Sequence, residues 1–364
     1  MDRLILISML CLWAGSMLVV EGGDPVISFE WKVTYGNVAP LGVPVKGILI
    51  NGEFPGPNIN STTNNNVVIN VFNNLDEPLL FTWAAGGFGG LRIHSRPLIP
   101  VPYDPPADEF TVMAGDWFNK GYTSLKKILD SGRNLGRADG LHINGKNAKG
   151  DGNDEPLFTM EAGKTYMYRF CNPGLKTAVN VRFQGHTMKL VEMEGSHTVQ
   201  NNYESIDLHV GMCFTVLVTA DQEPRDYALV ASSRFTKRDL LAIGIIRYLN
   251  GKGAPKPDLP KPPVGIETGT WSPEKRMNYN LLDATSRHTI QVFPKSWAAV
   301  LITFDNAGMW NVRSEVWDRH YLGQQLYFSS LSPNRSLRDE YNMPDGTLVC
   351  GVVQGMPKPP PVNS

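Results

Sequence analysis

The side chains that could hold a transition metal are few in this chain and widely spaced. Imidazole nitrogen and thiolate sulfur are the ligands that select copper and zinc over harder cations. No two of the seven histidines lie within ten positions of each other, so no short paired-histidine motif is present. They are His94, His142, His186, His197, His209, His288 and His320. We interpret His186 and His197, which flank an apolar segment, and His320 as structural residues.

The cysteines leave one thiol without a partner. Cys11 lies in the apolar N-terminal run described below, so a mature chain would keep Cys171, Cys213 and Cys350. Cys171 ends one apolar run and Cys213 begins another, so we predict that these two form a disulfide and that Cys350 stays unpaired. The triplets that begin at Asn60 and Asn334 are predicted N-glycosylation sites of a secreted protein.

The N-terminus predicts secretion. The apolar run Leu4–Val20 follows Asp2 and Arg3 and ends in small residues, which fits a cleaved signal peptide over residues 1–22. An uncleaved anchor is the alternative, but the run is shorter than the roughly 20 residues that span a bilayer. No later segment is apolar enough, so we expect no transmembrane segment after cleavage and a secreted, extracellular protein.

Charge and composition narrow the classes of function and fold. Cleavage would remove one of 34 basic and two of 35 acidic residues, leaving a net charge of zero. A neutral chain argues against a nucleic-acid partner. The 35 glycines and 27 prolines, with 42% hydrophobic residues and no long amphipathic pattern, favour an all-β fold of short strands and turns.

The hydrophobic pattern places the elements that would position any site. Val67, Ile69 and Val71 alternate with polar residues, which predicts a half-buried strand. Other predicted elements are a strand over Thr165–Phe170, more fully buried strands over Leu240–Leu249 and Ala298–Phe304, and a short helix over Ser124–Leu129.

An internal repeat indicates tandem domains. Ile48–Gly52 recurs about ninety positions later as Leu141–Gly145, and each copy is followed by a loop and a strand, which is the spacing of duplicated domains. The proline-rich segment Gly251–Gly265 predicts an extended spacer. The expected organisation is a first β-sandwich over 24–105, a second over 106–250, a linker over 251–265 and a partial third sandwich over 266–364.

Four segments resemble one known family. Ile48–Pro57 (ILINGEFPGP), Phe110–Phe118 (FTVMAGDWF), Gly185–Gly195 (GHTMKLVEMEG) and Phe293–Trp310 (FPKSWAAVLITFDNAGMW) occur in the order found in plant multicopper oxidases. Within that superfamily the chain is most similar to the pollen ascorbate-oxidase homologues and the SKU-type, skewed-root-growth glycoproteins. The resemblance implies three cupredoxin-like Greek-key β-sandwiches, secretion to the cell wall (the apoplast) and glycosylation.

The resemblance also shows which ligands are missing. Active members carry a His-Cys-His run after a Gly-x-Trp element, then a further His and an axial Met or Leu. In this chain the Gly-x-Trp element is present, but the ligand positions hold other residues: Arg313, Ser314 and Glu315 for the run, Arg319 for the later His and Gln324 for the axial ligand. Arginine cannot ligate copper and glutamine can serve only as a weak axial ligand. We therefore expect no copper and no catalytic residues.

Two junctions depart from the family pattern. Trp83 runs directly into Ala84, where a histidine- and tryptophan-rich stretch is expected, and Ile266 meets Glu267, where the first half of the third domain is expected. The first missing stretch would carry the family's partner for Cys350. We infer a shortened form, from alternative splicing or an error in the gene model, with incomplete first and third domains.

These observations favour a non-catalytic, wall-associated glycoprotein with a role in cell expansion or in pollen-tube or other tip growth. One alternative is a copper-dependent oxidoreductase of the ascorbate or phenol oxidase type. Another is a truncated product with little function. The mildly basic stretch Lys252–Lys295 suggests an acidic wall polysaccharide as a partner.

Overall fold

The computed structural model describes residues 24–79, 88–96, 98–150, 153–251, 253–255, 257–265, 269–282, 284–330 and 355. The strands in these residues are β1 Val26–Val38, β2 Val45–Ile50, β3 Gly56–Thr62, β4 Asn66–Asn73, β5 Gly89–His94, β6 Glu109–Trp117, β7 Gly140–Ile143, β8 Phe158–Met160, β9 Thr165–Cys171, β10 Val179–Phe183, β11 Met188–Met193, β12 Ser196–His197, β13 Asn202–Tyr203, β14 Ile206–Leu208, β15 Cys213–Thr219, β16 Asp226–Ser233, β17 Leu241–Tyr248, β18 Gly308–Arg313 and β19 Gln325–Ser330. The helices are α1 Tyr122–Asp130 and α2 Trp317–Tyr321, with a 3-10 helix over Pro273–Asn278. The predicted helix near Ser124 and the predicted strand near Leu240 are thereby confirmed.

The middle of the chain forms a sandwich of two sheets. One sheet has the strand order β14-β10-β16-β17-β8, and the other has the order β12-β11-β15-β9-β6-β7, with β13 paired to β11. Because side chains alternate along a strand, each sheet turns one row inward, and Phe170, Phe214 and Leu229 are fully buried between the two sheets. This core is the largest in the described part of the chain.

The two copies of the internal repeat adopt the same conformation. In both, the Asn-Gly pair has positive φ: 55° at Asn51 and 79° at Gly52 in the first copy, 49° at Asn144 and 75° at Gly145 in the second. Asparagine and glycine reach this region at least cost, so the pair makes a tight hairpin turn. Each asparagine also bridges the backbone of a neighbouring strand: Asn51 bonds Glu30 O and Lys32 N, and Asn144 bonds Thr111 O and Met113 N.

The first region contributes a three-stranded sheet, β2-β1-β4, and a parallel pair, β3-β5. Strand β4 is where the alternation predicts it, but the predicted half-burial is wrong, since Val67 is 38% and Val71 is 40% exposed. No second sheet packs over that face within the described residues. Val67 and Val71 are therefore open to solvent, whereas Ile69 between them is partly buried.

The proline-rich segment lies along the middle sandwich. We call its described residues, 253–255 and 257–265, the strap. Three side chains of the five-stranded sheet and its border donate to strap carbonyl oxygens: Arg182 to Pro260 (2.7 Å), Gln184 to Asp258 (3.0 Å) and Arg234 to Pro263 (2.9 Å). Leu259 packs on a small apolar cluster on the outer face of the same sheet. The segment predicted as a spacer is therefore docked on the sheet.

Beyond the strap, the described chain forms one hairpin, β18–β19, whose loop contains α2. The predicted buried strand over Ala298–Phe304 is wrong, because these residues form no strand and are all exposed, with Leu301 at 89%. An apolar run becomes a buried strand only where a neighbouring strand bonds its backbone and a facing layer covers its side chains. Within the described residues, neither is present at this run.

Candidate functional site

The segment Trp310–Gln324 is the candidate metal site, and it keeps a strand–loop–strand frame. Strand β18 pairs with β19 from Gly308 opposite Ser330 to Arg313 opposite Gln325. Ser314 N then donates to Gln324 O at 3.0 Å and closes the loop. The hairpin therefore holds positions 313 to 315 at the mouth of a loop that carries the short helix α2.

The five side chains at the candidate ligand positions do not converge on one point. Arg313 Nε pairs with Glu315 Oε1 at 3.2 Å, and Ser314 Oγ accepts from Val316 N at 3.3 Å. The residues Arg319 and Gln324 are exposed. A blue-copper centre needs two imidazoles and a thiolate. A guanidinium, a hydroxyl and a carboxylate that is already paired do not fit copper.

The loop instead docks on the middle sandwich through Asp318. Its carboxylate is 3% exposed and lies 2.5 Å from Lys176 Nζ, and it accepts a hydrogen bond from Leu135 N at 3.3 Å. The neighbouring Trp317 N donates to Leu175 O at 2.7 Å, and the Trp317 side chain packs against the main core. A buried carboxylate is stable here because a cation and an N–H donor both satisfy it.

A second buried carboxylate shapes the surface that receives this loop. Asp116, at 4% exposure, accepts hydrogen bonds from three consecutive backbone N–H groups: Leu175 (2.6 Å), Lys176 (3.2 Å) and Thr177 (2.9 Å). Burial raises the pKa of Asp116, and the three donors oppose that rise by favouring the charged form. Asp116 therefore fixes the backbone from which Lys176 reaches Asp318.

The sequence did not single out Asp318, Lys176 or Asp116. The two partners of the ion pair are 142 positions apart, so no local pattern links them. Asp116 lies in the FTVMAGDWF segment, and its position in a mostly apolar strand is the one local signal that it needs buried donors.

The histidines occupy separate environments. His142 is buried against Phe54, Phe88 and Trp117, and this burial lowers the pKa of His142 to about 4. His186 contacts Gln184 O at 2.7 Å and Tyr248 Oη at 2.6 Å, and burial lowers its pKa as well.

His186 and His197 are not neighbours, since His186 precedes β11 whereas His197 pairs with Glu192 near the end of that strand. His320 lies beside Trp317, with the two rings edge to face. In the described part of the chain, no three His, Cys, Asp or Glu side chains group closely enough to hold a metal ion.

The structure joins Cys171 to Cys213 in a disulfide between directly paired positions of β9 and β15. Asn60 is exposed on β3. Asn334, Cys350, the predicted signal peptide over 1–22 and the two junctions at Trp83 and Ile266 lie outside the described residues. Among the described residues, no helix is both long and apolar enough to cross a membrane.

Sequence comparisons identify relatives along the whole chain. Three family models, each described as multicopper oxidase, match residues 32–95, 108–251 and 263–336. The chain is 43% identical to the L-ascorbate oxidase homolog of Nicotiana tabacum and 41% to that of Brassica napus, with 98% of both chains covered in each case. It is 30% identical to the monocopper oxidase-like protein SKS1 of Arabidopsis thaliana, over 97% of this chain and 94% of that one.

Solved structures show the same fold. The laccase from Botrytis aclada matches with a TM-score of 0.54 at 19% identity, over 67% of this chain and 56% of the laccase. Fet3p, a multicopper oxidase that functions in iron import, matches with a TM-score of 0.54 at 17% identity, over 65% and 55%. The chain thus spans a little more than half the length of these structures, which have cupredoxin-like folds.

The alignment with the Nicotiana tabacum protein also shows that this chain is shorter than its relative. It extends over 547 positions against 364 residues in this chain, which leaves at least 183 positions without a counterpart. Since 98% of both chains are aligned, most of these positions are internal. With a relative above 40% identity across nearly its whole length, the chain belongs to the multicopper oxidase family.

Proposed function

We propose that this chain is a secreted, cell-wall-associated glycoprotein that does not catalyse oxidation and that acts in cell expansion or tip growth. The observation that carries the proposal is that the Trp310–Gln324 loop makes docking contacts and presents no set of copper ligands. The loop docks on the middle sandwich through buried Asp318, and none of the side chains at positions 313 to 315 is an imidazole or a thiolate.

The donor chemistry supports the non-catalytic half of the proposal. A mononuclear copper centre that passes electrons depends on soft sulfur and imidazole ligands to tune its potential. Positions 313 to 315 supply a guanidinium–carboxylate pair and a hydroxyl that already accepts a backbone hydrogen bond. Copper would have to displace these interactions and would gain only hard oxygen donors.

The growth-related half of the proposal rests on similarity. The relatives in Nicotiana tabacum and Brassica napus are named ascorbate oxidase homologs, and the Arabidopsis proteins are named monocopper oxidase-like. The resemblance to pollen and skewed-root-growth glycoproteins supports a role in wall-associated growth. An acidic wall polysaccharide is the partner that we propose for the basic segment after the middle sandwich.

Copper content and oxidase activity test the proposal directly. The full chain would be secreted from plant cells in copper-supplemented medium, purified, and measured for copper by mass spectrometry and for oxygen uptake with ascorbate and with a phenol. We expect substoichiometric copper, no thiolate-to-copper charge-transfer band and no oxygen uptake above buffer. A laccase produced and assayed in parallel is the positive control; stoichiometric copper with a visible band would favour the oxidoreductase alternative.

Location and glycosylation are tested separately. A fluorescent fusion is expected to stay with the wall when cells are plasmolysed, and removal of N-glycans is expected to increase gel mobility. Asn60→Gln should abolish part of that shift, because Asn60 is exposed on β3. Signal retained inside the cell would contradict the proposed secretion, and no mobility shift in the wild-type chain would contradict the proposed glycosylation.

A further inference from the structure

Two tyrosines from different regions meet at the surface of the molecule. Tyr35 lies on β1 and Tyr122 is the first residue of α1, 87 positions later. Their rings are stacked, with centroids 6.1 Å apart and planes inclined by 11°, and their hydroxyl oxygens are 3.0 Å apart. Each residue is half-buried, so water and small solutes reach this pair.

Two carboxylates surround the paired hydroxyls. Tyr35 donates to Glu77 Oε1 at 2.6 Å and is 2.8 Å from Asp76 Oδ1, and Tyr122 also donates to Glu77. These hydrogen bonds raise the pKa of both phenols, chiefly through Glu77, so both hydroxyls stay protonated at neutral pH. Glu77 is therefore placed to accept a proton from either phenol when an electron is removed.

A second tyrosine pair shows what is distinctive about the first. Tyr227 and Tyr248 have centroids 5.2 Å apart, yet they are 6% and 0% exposed. Their hydroxyls face different partners, since Tyr227 donates to Glu223 O and Tyr248 contacts His186 Nε2. Both pairs therefore have neighbouring rings. Only Tyr35 and Tyr122, of these two pairs, also have solvent exposure, hydroxyls that face each other and an adjacent carboxylate.

We propose that Tyr35 and Tyr122 are a site of oxidative cross-linking that forms an intramolecular dityrosine. The oxidant is hydrogen peroxide used by a haem peroxidase. Each phenol loses one electron to the oxidised haem and one proton, by way of Glu77, to solvent. The two radicals couple through a carbon–carbon bond between ring positions next to the hydroxyls, and the ring hydrogens shift to restore both phenols. One peroxide is reduced to two waters for each bond formed.

The proposed cross-link would join two regions of the chain. It would tie strand β1 of the first region to helix α1 of the middle sandwich, which holds the main core. A covalent link between residues 87 positions apart restricts the unfolded chain, as a disulfide does. Proximity makes coupling within one chain faster than coupling between chains, because the two rings are already held together.

Peroxidase treatment of the full chain, followed by trypsin digestion, tests the proposal. Cleavage after Lys32, Lys46, Lys120 and Lys126 places each tyrosine alone in a peptide, 33–46 and 121–126. We expect monomeric protein with dityrosine fluorescence and a joined peptide two hydrogen masses below the sum of these two. Tyr35→Phe and Tyr122→Phe should each abolish it, and Glu77→Gln should lower the initial coupling rate on the order of tenfold.

Tyr203→Phe is the matched control, since Tyr203 is 38% exposed and lies outside the pair. This variant is expected to form the joined peptide at the wild-type rate, and circular dichroism verifies that all four variants are folded. The proposal is overturned if the wild-type chain oxidises Tyr203 without joining the two peptides. It is also overturned if the joined peptide appears only in covalent dimers, because the geometry predicts a link within one chain.

Discussion

Asn144 and Asn51 each have two structural roles. Each adopts positive φ in a turn, and the side chain of each bonds the backbone of a neighbouring strand. Asn144 Oδ1 accepts from Met113 N at 2.7 Å, and its Nδ2 donates to Thr111 O at 2.9 Å. Without that side chain, partly buried backbone groups of β6 lose their partners. Such groups stabilise the fold mainly because leaving them unpaired is costly.

We expect Asn144→Ala to lower the free energy of unfolding by about 2–4 kcal/mol, from two lost hydrogen bonds and an alanine in the left-handed region. Urea denaturation at pH 7 measures this. Asn64→Ala is the control: Asn64 also has positive φ, at 70°, but bridges no strand in the described structure, so about 1 kcal/mol is expected. Equal losses would contradict the bridging role.

His142 makes stability depend on pH. In the folded protein burial lowers the pKa of His142 to about 4, whereas the unfolded chain takes up its proton near pH 6.5. Between these values the unfolded state binds more protons, so stability is complete above about pH 6.5 and falls as pH decreases toward 4.

The His142 contribution should reach about 2–3 kcal/mol between pH 7 and pH 4.5. His142→Gln is expected to be less stable at pH 7, because the contacts with Phe54 and Trp117 are weakened, but to lose less stability on acidification than the wild type. The control His197→Gln alters an exposed histidine and should keep the wild-type pH dependence. Parallel pH profiles for wild type and His142→Gln would contradict this assignment.

At the scale of elements, α2 has only five residues, so its stability comes from its contacts and not from its helical propensity. The ion pair between Lys176 and Asp318 holds it, and the two partners differ in exposure. Asp318 is almost fully buried, whereas the Lys176 side chain is 23% exposed and can reach water. Removing the lysine should therefore cost more than removing the aspartate.

We expect Lys176→Met to destabilise docking of the β18–β19 hairpin by about 3–5 kcal/mol, since it leaves a buried carboxylate unpaired. Hydrogen exchange of Gly308–Ser330 measures the loss of protection. The double variant Lys176→Met/Asp318→Leu should recover much of it, because it removes both charges. Lys127→Met, on the exposed face of α1, is the control, and equal exchange in Lys176→Met and Lys127→Met would show that the pair does not hold the hairpin.

Strand patterns in this chain fail where the elements that would pair with them or cover them are missing. The alternation in β4 places a strand correctly, but its valines are exposed because no described sheet covers them. The run Ala298–Phe304 has the composition of a buried strand and forms none. In both cases the local residues are suitable and the facing elements are missing, which agrees with at least 183 alignment positions that this chain lacks.

At the scale of the molecule, the middle sandwich has a complete core. The strap, which follows the last strand of that sandwich, packs on it and belongs to the same packed unit. We expect broad-specificity proteolysis of the full chain to leave a resistant fragment from about residue 106 to about residue 265. Leu259→Asp should release the strap and move the C-terminal limit back to about residue 251, because Leu259 packs on the five-stranded sheet.

Val264→Asp is the matched control for that experiment, since Val264 is fully exposed at 101% and should leave the limit unchanged. A wild-type fragment that already ends near residue 251 would show that the strap does not protect the chain. A fragment that includes both outer regions would argue against the hypothesis of a truncated product with little function. One that covers only residues 106 to 250, without the strap, would favour that hypothesis.

The sequence by itself determined the family, the all-β class, the internal repeat and the absence of copper ligands at positions 313 to 315. These depend on residue identity and on short-range order, which a sequence contains directly. The tertiary structure alone decided that the strap is docked, that the valines of β4 are exposed, and that Asp318 anchors the Trp310–Gln324 loop. Each of these depends on contacts between distant positions, such as the 142 residues that separate Lys176 from Asp318. A local sequence pattern does not specify which distant residues will contact each other in the folded chain.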